Sequence, residues 1–380
     1  MNKFKIKTEV RFSENAIDTL LEFKNVNAVI ITDEFMKSSG AVDLVSEKLK
    51  NCLKVDVFSD VIPDPPISLI AKGFKFLADC KADIVIALGG GSSIDAAKSM
   101  VLMAKRINSE KSIRLIAIPT TSGTGSEVTQ FAVITDEEKG VKYPLVDEQL
   151  LPDLAILVPE LVATVPPAVT ADTGFDVITH AMEAYISTMS NDASDALSEK
   201  AITIAFEYLP IAYKDGSNMK AREKMHSASC LAGMAFNEVG LGINHGIAHA
   251  LGAKFHIPHG RANAMLLPHV IEYNANLRGN FGEDRITDAA KRIAETARRL
   301  RLPHDNLRIA VVSLIDEIKY MLKMMKIPTT LGAAGVTKEE YEENKQQIIE
   351  SALNDTCTAT NPRIVTAEDV EEILSKIAIF

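Results

Sequence analysis

The feature that most constrains this chain is a change of pattern at V-P-P, residues 165–167 of 380. Ahead of it, short apolar runs rich in β-branched residues alternate with segments of helical spacing. N-A-V-I-I-T (27–32), K-V-D-V-F (54–58), D-I-V-I-A-L (83–88) and R-L-I-A-I (114–118) read as strands, and 41–50, 67–79 and 93–106 as helices. Short buried strands alternating with helices form parallel βα units. The opening M-N-K-F-K-I-K-T-E-V alternates apolar and polar residues, which predicts a strand and not a leader peptide. F-A-V-I-T-D (131–136) and the stretch around Lys142 predict a hairpin across D-E-E-K-G (136–140). Beyond the prolines strand signals nearly vanish. Segments with a 3.6-residue period run over 170–188, 193–213, 220–237, 243–253, 261–275, 283–300, 306–326, 338–354 and 367–377. Pro159, Pro166 and Pro167 punctuate the boundary, because proline cannot continue a helix or a central strand. The expectation is an α/β domain over residues 1–163 followed by an all-α domain over 164–380.

Composition narrows the function classes. The formal net charge of −10 argues against nucleic acid as a partner, because phosphate backbones are held by clustered Lys and Arg. A single nucleotide stays open, since backbone N–H groups can hold it. The apolar fraction of 47% supports a sizeable core, yet no stretch approaches the length of a membrane span. Cys52, Cys80, Cys230 and Cys357 are scattered without a C-x-x-C, which predicts reduced thiols. Together these readings predict a cytoplasmic enzyme.

Two loops invite a nucleotide. Gly89, Gly90, Gly91 and Ser92 follow the strand 83–88 and precede a helix containing Asp95 and Lys98. Glycine lets the backbone approach a ligand, and a helix N-terminus offers free N–H groups at the positive end of its dipole. The turn suits a pyrophosphate; the alternative is a plain tight turn. G-x-G-x-x-G is absent, and no acidic residue follows at the customary ~20-residue spacing. Asp33, just after the strand 27–32, would bind the adenosine ribose hydroxyls and repel a 2′-phosphate, favouring NAD over NADP, or would cap the next helix. The second loop, P-T-T-S-G-T-G-S-E-V-T (119–129), carries six Ser or Thr hydroxyls and two glycines. It follows the strand 114–118 and so belongs at the same sheet edge, where it would wrap the phosphates and nicotinamide ribose from the other side. A polar surface loop is the alternative.

In the helical half, Asp172, Asp176 and His180 fall on one helical stripe, as do His245 and His249. Burying so many polar groups costs several kcal/mol unless something pairs them. Asp176, His180, His245 and His259 make a set of one carboxylate and three imidazoles, which suits a borderline divalent ion such as Fe²⁺ or Zn²⁺.

G-G-G-S, P-T-T-S-G-T-G-S-E-V-T, D-x-x-x-H, H-G-I-A-H-A-L-G and P-H-G occur in this order along the chain. With these motifs it resembles the iron-dependent (group III) alcohol dehydrogenases over nearly its whole length. V-K-Y-P-L (141–145) and L-A-G-M-A-F (231–236) make it most similar to the propanol and ethanol dehydrogenases of propanediol and ethanolamine breakdown. The resemblance implies a dehydroquinate-synthase-like fold: an N-terminal dinucleotide-binding domain, an all-helical metal-binding and substrate domain, and an active site in the cleft between them. It implies that Asp176, His180, His245 and His259 bind the metal and that Asp172, one turn earlier, does not. His249 falls where the family has a histidine beside the site that is not a ligand. Asp33, Gly90, Gly91, Ser92, Asp95, Thr120, Thr121, Thr124 and Lys142 fall at its cofactor-binding positions, and Asp64 stands where many members carry Asn.

On that resemblance the ion, Fe²⁺ with Zn²⁺ as the alternative, polarises the alcohol or aldehyde oxygen. Hydride passes between the carbinol carbon and C4 of NAD(H). His249 is the favoured proton relay, because imidazole titrates near working pH; the alternative is that it orients the ligands. Phe131 and Phe236 fall where the family lines its pocket, and two phenyl rings offer no hydrogen bond to a second hydroxyl. The expected substrates are short primary alcohols and aldehydes, 1-propanol/propanal and ethanol/ethanal. The alternative is a zinc- or iron-dependent polyol dehydrogenase of the 1,2-propanediol or glycerol type. Zinc polyol relatives use one Asp and two His, so the additional histidine favours the iron branch. The resemblance also leads us to expect a homodimer or larger homo-oligomer, and it raises enclosure in a bacterial microcompartment, although no amphipathic tag is evident ahead of the first strand.

Overall fold

The strands run in chain order as β1 (Glu9–Phe12), β2 (Asn27–Asp33), β3 (Lys54–Val61), β4 (Ile84–Gly89), β5 (Arg114–Pro119), β6 (Phe131–Asp136), β7 (Val141–Val146) and β8 (Leu154–Leu157). All belong to the first of two units, Met1–Val165; the second is Pro166–Phe380. The computed structural model describes residues 4–107, 112–138, 141–276 and 287–380.

Six strands form one parallel sheet in the order β1-β8-β5-β4-β2-β3. Side chains of a strand alternate between its faces, so a sheet covered on both faces needs strands apolar throughout. In β4, Ile84, Ile86 and Leu88 enter one core with Ala28, Ile30, Ile116 and Ile118. Val85 and Ala87 enter the opposite core with Val29, Ile31, Leu115 and Ala117. The helices are α1 (Glu34–Ser38), α2 (Ala41–Lys48), α3 (Ile67–Asp79) and α4 (Gly91–Ile107). Val42 and Val45 of α2 enter the first core, while Leu77 of α3 and Ile94, Ala97 and Met100 of α4 enter the second.

The strand order carries a functional consequence. From β2 the chain moves outward to β3, and from β4 it moves the other way to β5. β2 and β4 are neighbours, so their C-terminal ends flank a topological switch point, the usual ligand crevice of an open parallel sheet. Those ends are Asp33 and Gly89.

The opening segment departs from expectation. Only Glu9–Phe12 forms a strand, with residues 4–8 outside any ladder and 1–3 outside the described residues. Its partner β8 offers just four positions, Leu154 to Leu157, and the ladder ends where β8 ends. That four-residue partner was too short to stand out in the sequence. β6 and β7 pair as the expected antiparallel hairpin, with Phe131 opposite Val146 and Asp136 opposite Val141; residues 139–140 of its turn lie outside the described residues.

The second unit contains helices only among the described residues: α5 (Pro167–Ile186), α6 (Asp192–Lys214), α7 (Met219–Val239), α8 (Ile243–Phe255), α9 (His259–Asn274), α10 (Asp288–Arg299), α11 (Leu307–Met324), α12 (Lys338–Asn354) and α13 (Ala367–Ile377). Residues 283–286 of the expected 283–300 helix lie outside the described residues. Two apolar cores hold the unit. One gathers α5, α6, α7, α10 and α11 around Phe175, Ile178, Leu209 and Leu314. The other gathers α8, α9, α12 and α13 around Ile247, Leu251, Leu266 and Leu374. α5 is buried on nearly every side, as befits a helix apolar around most of its circumference. The α/β half and the all-α half are those expected from the residue pattern.

Candidate functional site

Asp176 and His180 sit one turn apart on α5 and face inward, at 3% and 4% exposure. His245 is in the first turn of α8, and His259 is the first residue of α9. One ligand atom from each of the four lies within 4.8 Å of the others. From Asp176 Oδ1, His259 Nε2 is 3.5 Å away, His245 Nε2 3.8 Å and His180 Nε2 3.9 Å. The rings of His180 and His245 stack at 4.6 Å. His245 is buried, and burial together with the neighbouring imidazoles holds it well below the usual histidine range, so its ring is neutral and carries a lone pair. The His259 side chain is 40% exposed, which leaves the cluster reachable from solvent.

The donor set fits a divalent ion. Lone pairs of three imidazoles and a carboxylate converging in a buried space repel one another unless a cation or hydrogen-bond donors lie among them. Asn263, fully buried one turn along α9 from His259, places its Nδ2 2.8 Å from Asp176 Oδ1, 3.1 Å from His245 Nε2 and 3.2 Å from His259 Nε2. Gly260 explains the glycine of P-H-G: a Cβ there would stand 2.1 Å from the Asp172 carbonyl oxygen, so only glycine lets α9 come this close to α5.

The neighbouring candidates separate by partner. Asp172 accepts from Arg261 Nη2 at 2.9 Å and Nε at 3.3 Å, so its charge is already matched. His249 is half-exposed and its Nδ1 lies 2.8 Å from Asp355 Oδ2. Its ring stacks on His259 at 5.2 Å. Phe236 stacks on His180 at 4.5 Å.

In the first unit, Asp33 Oδ1 accepts from the Met36 backbone N–H at 2.9 Å, and Ser93 Oγ donates to Oδ2 at 3.4 Å. The capping reading of Asp33 is therefore realised, and one oxygen still faces the glycine turn. α4 begins at Gly91, leaving its first N–H groups at that turn. A Cβ on Gly90 would be 3.4 Å from Thr121, and one on Gly91 3.0 Å from Thr124, so the two loops abut. The Thr120 N–H donates to the Gly89 carbonyl at 3.0 Å. Both carboxylate oxygens of Asp95, a residue at one of the family's cofactor-binding positions, are engaged within the first unit. Its Oδ1 accepts from Ser126 Oγ at 2.7 Å and its Oδ2 from the Val133 N–H at 3.0 Å. Lys98, fully buried, donates to the carbonyls of Thr129 and Phe131 at 2.8 Å each, to Ser126 Oγ at 3.0 Å and to Thr129 Oγ1 at 3.2 Å. Burial lowers its pKa to about 8. Asp95 and Lys98 thus fasten the hydroxyl-rich loop. Lys142 is exposed and pairs with Asp64 at 2.7 Å.

Residues 7–159 match the iron-containing alcohol dehydrogenase family, and residues 170–378 match the C-terminal part of the Fe-containing alcohol dehydrogenase family. The chain belongs to the iron-containing alcohol dehydrogenase family. It is 43% identical over 99% of its length to the full length of the 1-propanol dehydrogenase PduQ of Citrobacter freundii. It is 37% identical over 98% of its length to 97% of the NADPH-dependent butanol dehydrogenase of Clostridium saccharobutylicum. Among solved structures, the alcohol dehydrogenase of Oenococcus oeni superposes with a TM-score of 0.90 at 32% identity, covering 99% of this chain and all of that one. The sulfoacetaldehyde reductase of Bifidobacterium kashiwanohense in complex with NAD⁺ superposes at 0.86 and 26% identity, covering 100% and 99% of the two chains. As an iron-containing alcohol dehydrogenase the chain is an oxidoreductase, and the metal of its family is iron.

Three residues around the four-residue cluster of this dehydrogenase escaped the sequence. They are Glu183, whose Oε2 is 2.5 Å from His245 Nδ1, together with Asn263 and Asp355. Glu183 carried a readable signal, since Asp176, His180 and Glu183 continue one stripe of α5. Asn263 lies four residues after His259 and was equally in phase. Asp355 carried none.

Proposed function

We propose that Asp176, His180, His245 and His259 hold the iron of an NAD(H)-linked dehydrogenase that interconverts short primary alcohols and aldehydes, 1-propanol and propanal in particular. The observation that carries this reading is the convergence of the four ligand atoms within 4.8 Å of one another. When bound, the ion supplies Lewis acidity toward an alcohol or aldehyde oxygen. The residues around it have separable tasks. Asp176 contributes the negative charge and His245 a neutral, buried imidazole. His249, held through Nδ1 by Asp355, keeps Nε2 for a proton relay between substrate and water.

The first unit is the dinucleotide-binding domain in this reading, with Asp33 at one lip of the switch point and Gly90, Gly91 and Ser92 at the other. Thr120, Thr121 and Thr124 complete the cradle, and Lys142 contributes from the hairpin. Asp95 serves by anchoring the loop that carries the threonines. Phe131 and Phe236 are assigned to the substrate pocket, the latter supported by its stack on His180. The similarity to 1-propanol dehydrogenase PduQ supports an unadorned alcohol over the polyol alternative.

NADH oxidation with propanal, ethanal and lactaldehyde, on protein prepared without air and assayed before and after chelation, tests this. Highest kcat/KM with propanal and loss of activity on chelation is expected; lactaldehyde, a hydroxyaldehyde, as best substrate overturns the substrate assignment. Cytoplasmic action, self-association and enclosure in a microcompartment belong to the same proposal. Among the described residues no helix is long and apolar enough to cross a membrane. Sizing in solution and cell fractionation test these points.

A further inference from the structure

Glu183 is a buried carboxylate with 2% exposure that neither the four-residue cluster nor the proton path uses. It lies on α5 one turn beyond His180 and reaches the start of α8. Its Oε2 is 2.5 Å from His245 Nδ1, and its Oε1 accepts from the Asn244 backbone N–H at 2.7 Å. The N–H groups of Gly242 and His245 bear on the same carboxylate. The N-cap of α8 is Gly242, which has no side chain to satisfy these donors. Glu183 therefore supplies, from another helix, the carboxyl cap that α8 lacks in its own sequence.

Gly242 is shaped to this contact. A Cβ there would meet Glu183 Oε1 at 2.6 Å and Asn361 Oδ1 at 2.9 Å, so any larger residue would push the carboxyl, and Asn361 with it, away from the cap. The network continues inward: Asn244 Nδ2 donates to Asn263 Oδ1 at 2.9 Å, and Asn263 Nδ2 faces the cluster.

We propose that Glu183 is a positioning residue for the metal. By accepting the Nδ1 proton of His245 it fixes the tautomer in which Nε2 carries the lone pair, and by capping α8 it holds that ring toward Asp176. This inference rests on the reading of His245 as a ligand. A carboxylate behind a ligating imidazole orients the ring and raises its basicity, and loss of such a partner typically costs about 10–100-fold in metal affinity. Glutamine at this position still accepts from the backbone N–H groups, but its amide donates to Nδ1. That places the imidazole proton on Nε2 and blocks the ligating atom.

The test uses Co²⁺ as probe, titrated into the metal-free full-length protein against a competing chelator and read by its visible absorption. Wild type, Glu183→Gln, Gly242→Ala and His245→Ala are compared, with a urea midpoint for each metal-free protein. Wild type is expected to bind one equivalent. Glu183→Gln is expected to bind ~10–100-fold more weakly with an altered spectrum, and Gly242→Ala to shift affinity the same way, since its added methyl displaces the Glu183 carboxyl without replacing it. Wild-type affinity and spectrum in Glu183→Gln, with a lowered urea midpoint, would reduce Glu183 to a helix cap and overturn the proposal. If Glu183→Gln does not fold, unchanged Co²⁺ binding in Gly242→Ala overturns it instead. Wild-type protein that binds no Co²⁺, or a His245→Ala variant that binds it normally, sinks the ligand reading first and Glu183 with it.

Discussion

The Asp355 carboxylate holds Nδ1 of His249 at 2.8 Å, so the imidazole of His249 is anchored at one nitrogen and presents the other. Asp355 is itself anchored, because its second oxygen accepts from the Cys357 N–H at 2.8 Å. A relay needs this arrangement: one ring nitrogen pinned, the other able to exchange a proton. His249→Ala is expected to keep its metal nearly intact and to slow turnover by roughly 10²-fold, with a changed pH profile. Asp355→Asn should show a smaller loss of the same kind. Metal content by elemental analysis beside kcat against pH checks both. Loss of the metal in His249→Ala would mean that the ring supports the ligands and does not carry protons.

Asp33 does two jobs that one substitution can separate. It caps α1 through Oδ1, and it presents a negative charge beside the glycine turn. Asp33→Gly is expected to relax the preference for NADH over NADPH, with a cap loss of only a few tenths of a kcal/mol. Asp33→Ser keeps a capping oxygen and removes the charge, so it should relax the preference with stability unchanged. The ratio of kcat/KM for the two cofactors reads this out. The comparison is pointed because an NADPH-dependent butanol dehydrogenase is among the relatives. Equal use of NADPH and NADH by the wild type would remove the argument from Asp33.

Lys98 has every visible role inside the protein. Its ammonium serves four acceptors on the segment from Ser126 to Phe131. Lys98→Met fills the space but strands those acceptors, each at a cost of about 1–3 kcal/mol if left unsatisfied. The variant is expected to bind NADH more weakly by fluorescence titration, because the threonines at 120, 121 and 124 lose their anchor. Unchanged NADH affinity would show that the loop holds its shape without Lys98.

Glu127 gives a pH signature. It is 2% exposed, and burial pushes its carboxyl up to about 7 from 4.5. Between those values the folded chain binds more protons than the unfolded chain. Stability from this group is therefore full below pH 4.5, falls as pH rises toward 7, and is absent above it. Glu127→Gln removes that penalty. Its urea midpoint is expected to exceed wild type at pH 8, by up to about 3 kcal/mol in stability, and to match it near pH 4. A midpoint gain that is the same at both values would refute a titrating Glu127.

Much of this was legible in the residues. β4 reads as a strand because Ile84 through Leu88 are apolar on both faces, which only a doubly covered parallel sheet requires. The helices of the second unit read from their period, and α12 and α13 were bounded correctly at Lys338–Asn354 and Ala367–Ile377. Each begins with a threonine capping box, a signal contained within four residues. β1 did not read correctly, since the length of its ladder is set by β8, more than a hundred residues away.

The candidate site divides along the same line. Spacing alone put Asp172, Asp176 and His180 on one stripe, because helical phase is a local property. Spacing could not say which aspartate faces the histidines, since that depends on Arg261, 89 residues from Asp172. Likewise Glu183 meets His245 across 62 residues and His249 meets Asp355 across 106. The sequence by itself determined which residue types share a face and where the backbone turns. Only the tertiary structure decided which buried charge is matched by which partner. A side chain's electrostatic environment is made by neighbours in space, and no local pattern carries the positions of groups that approach only when the helices pack.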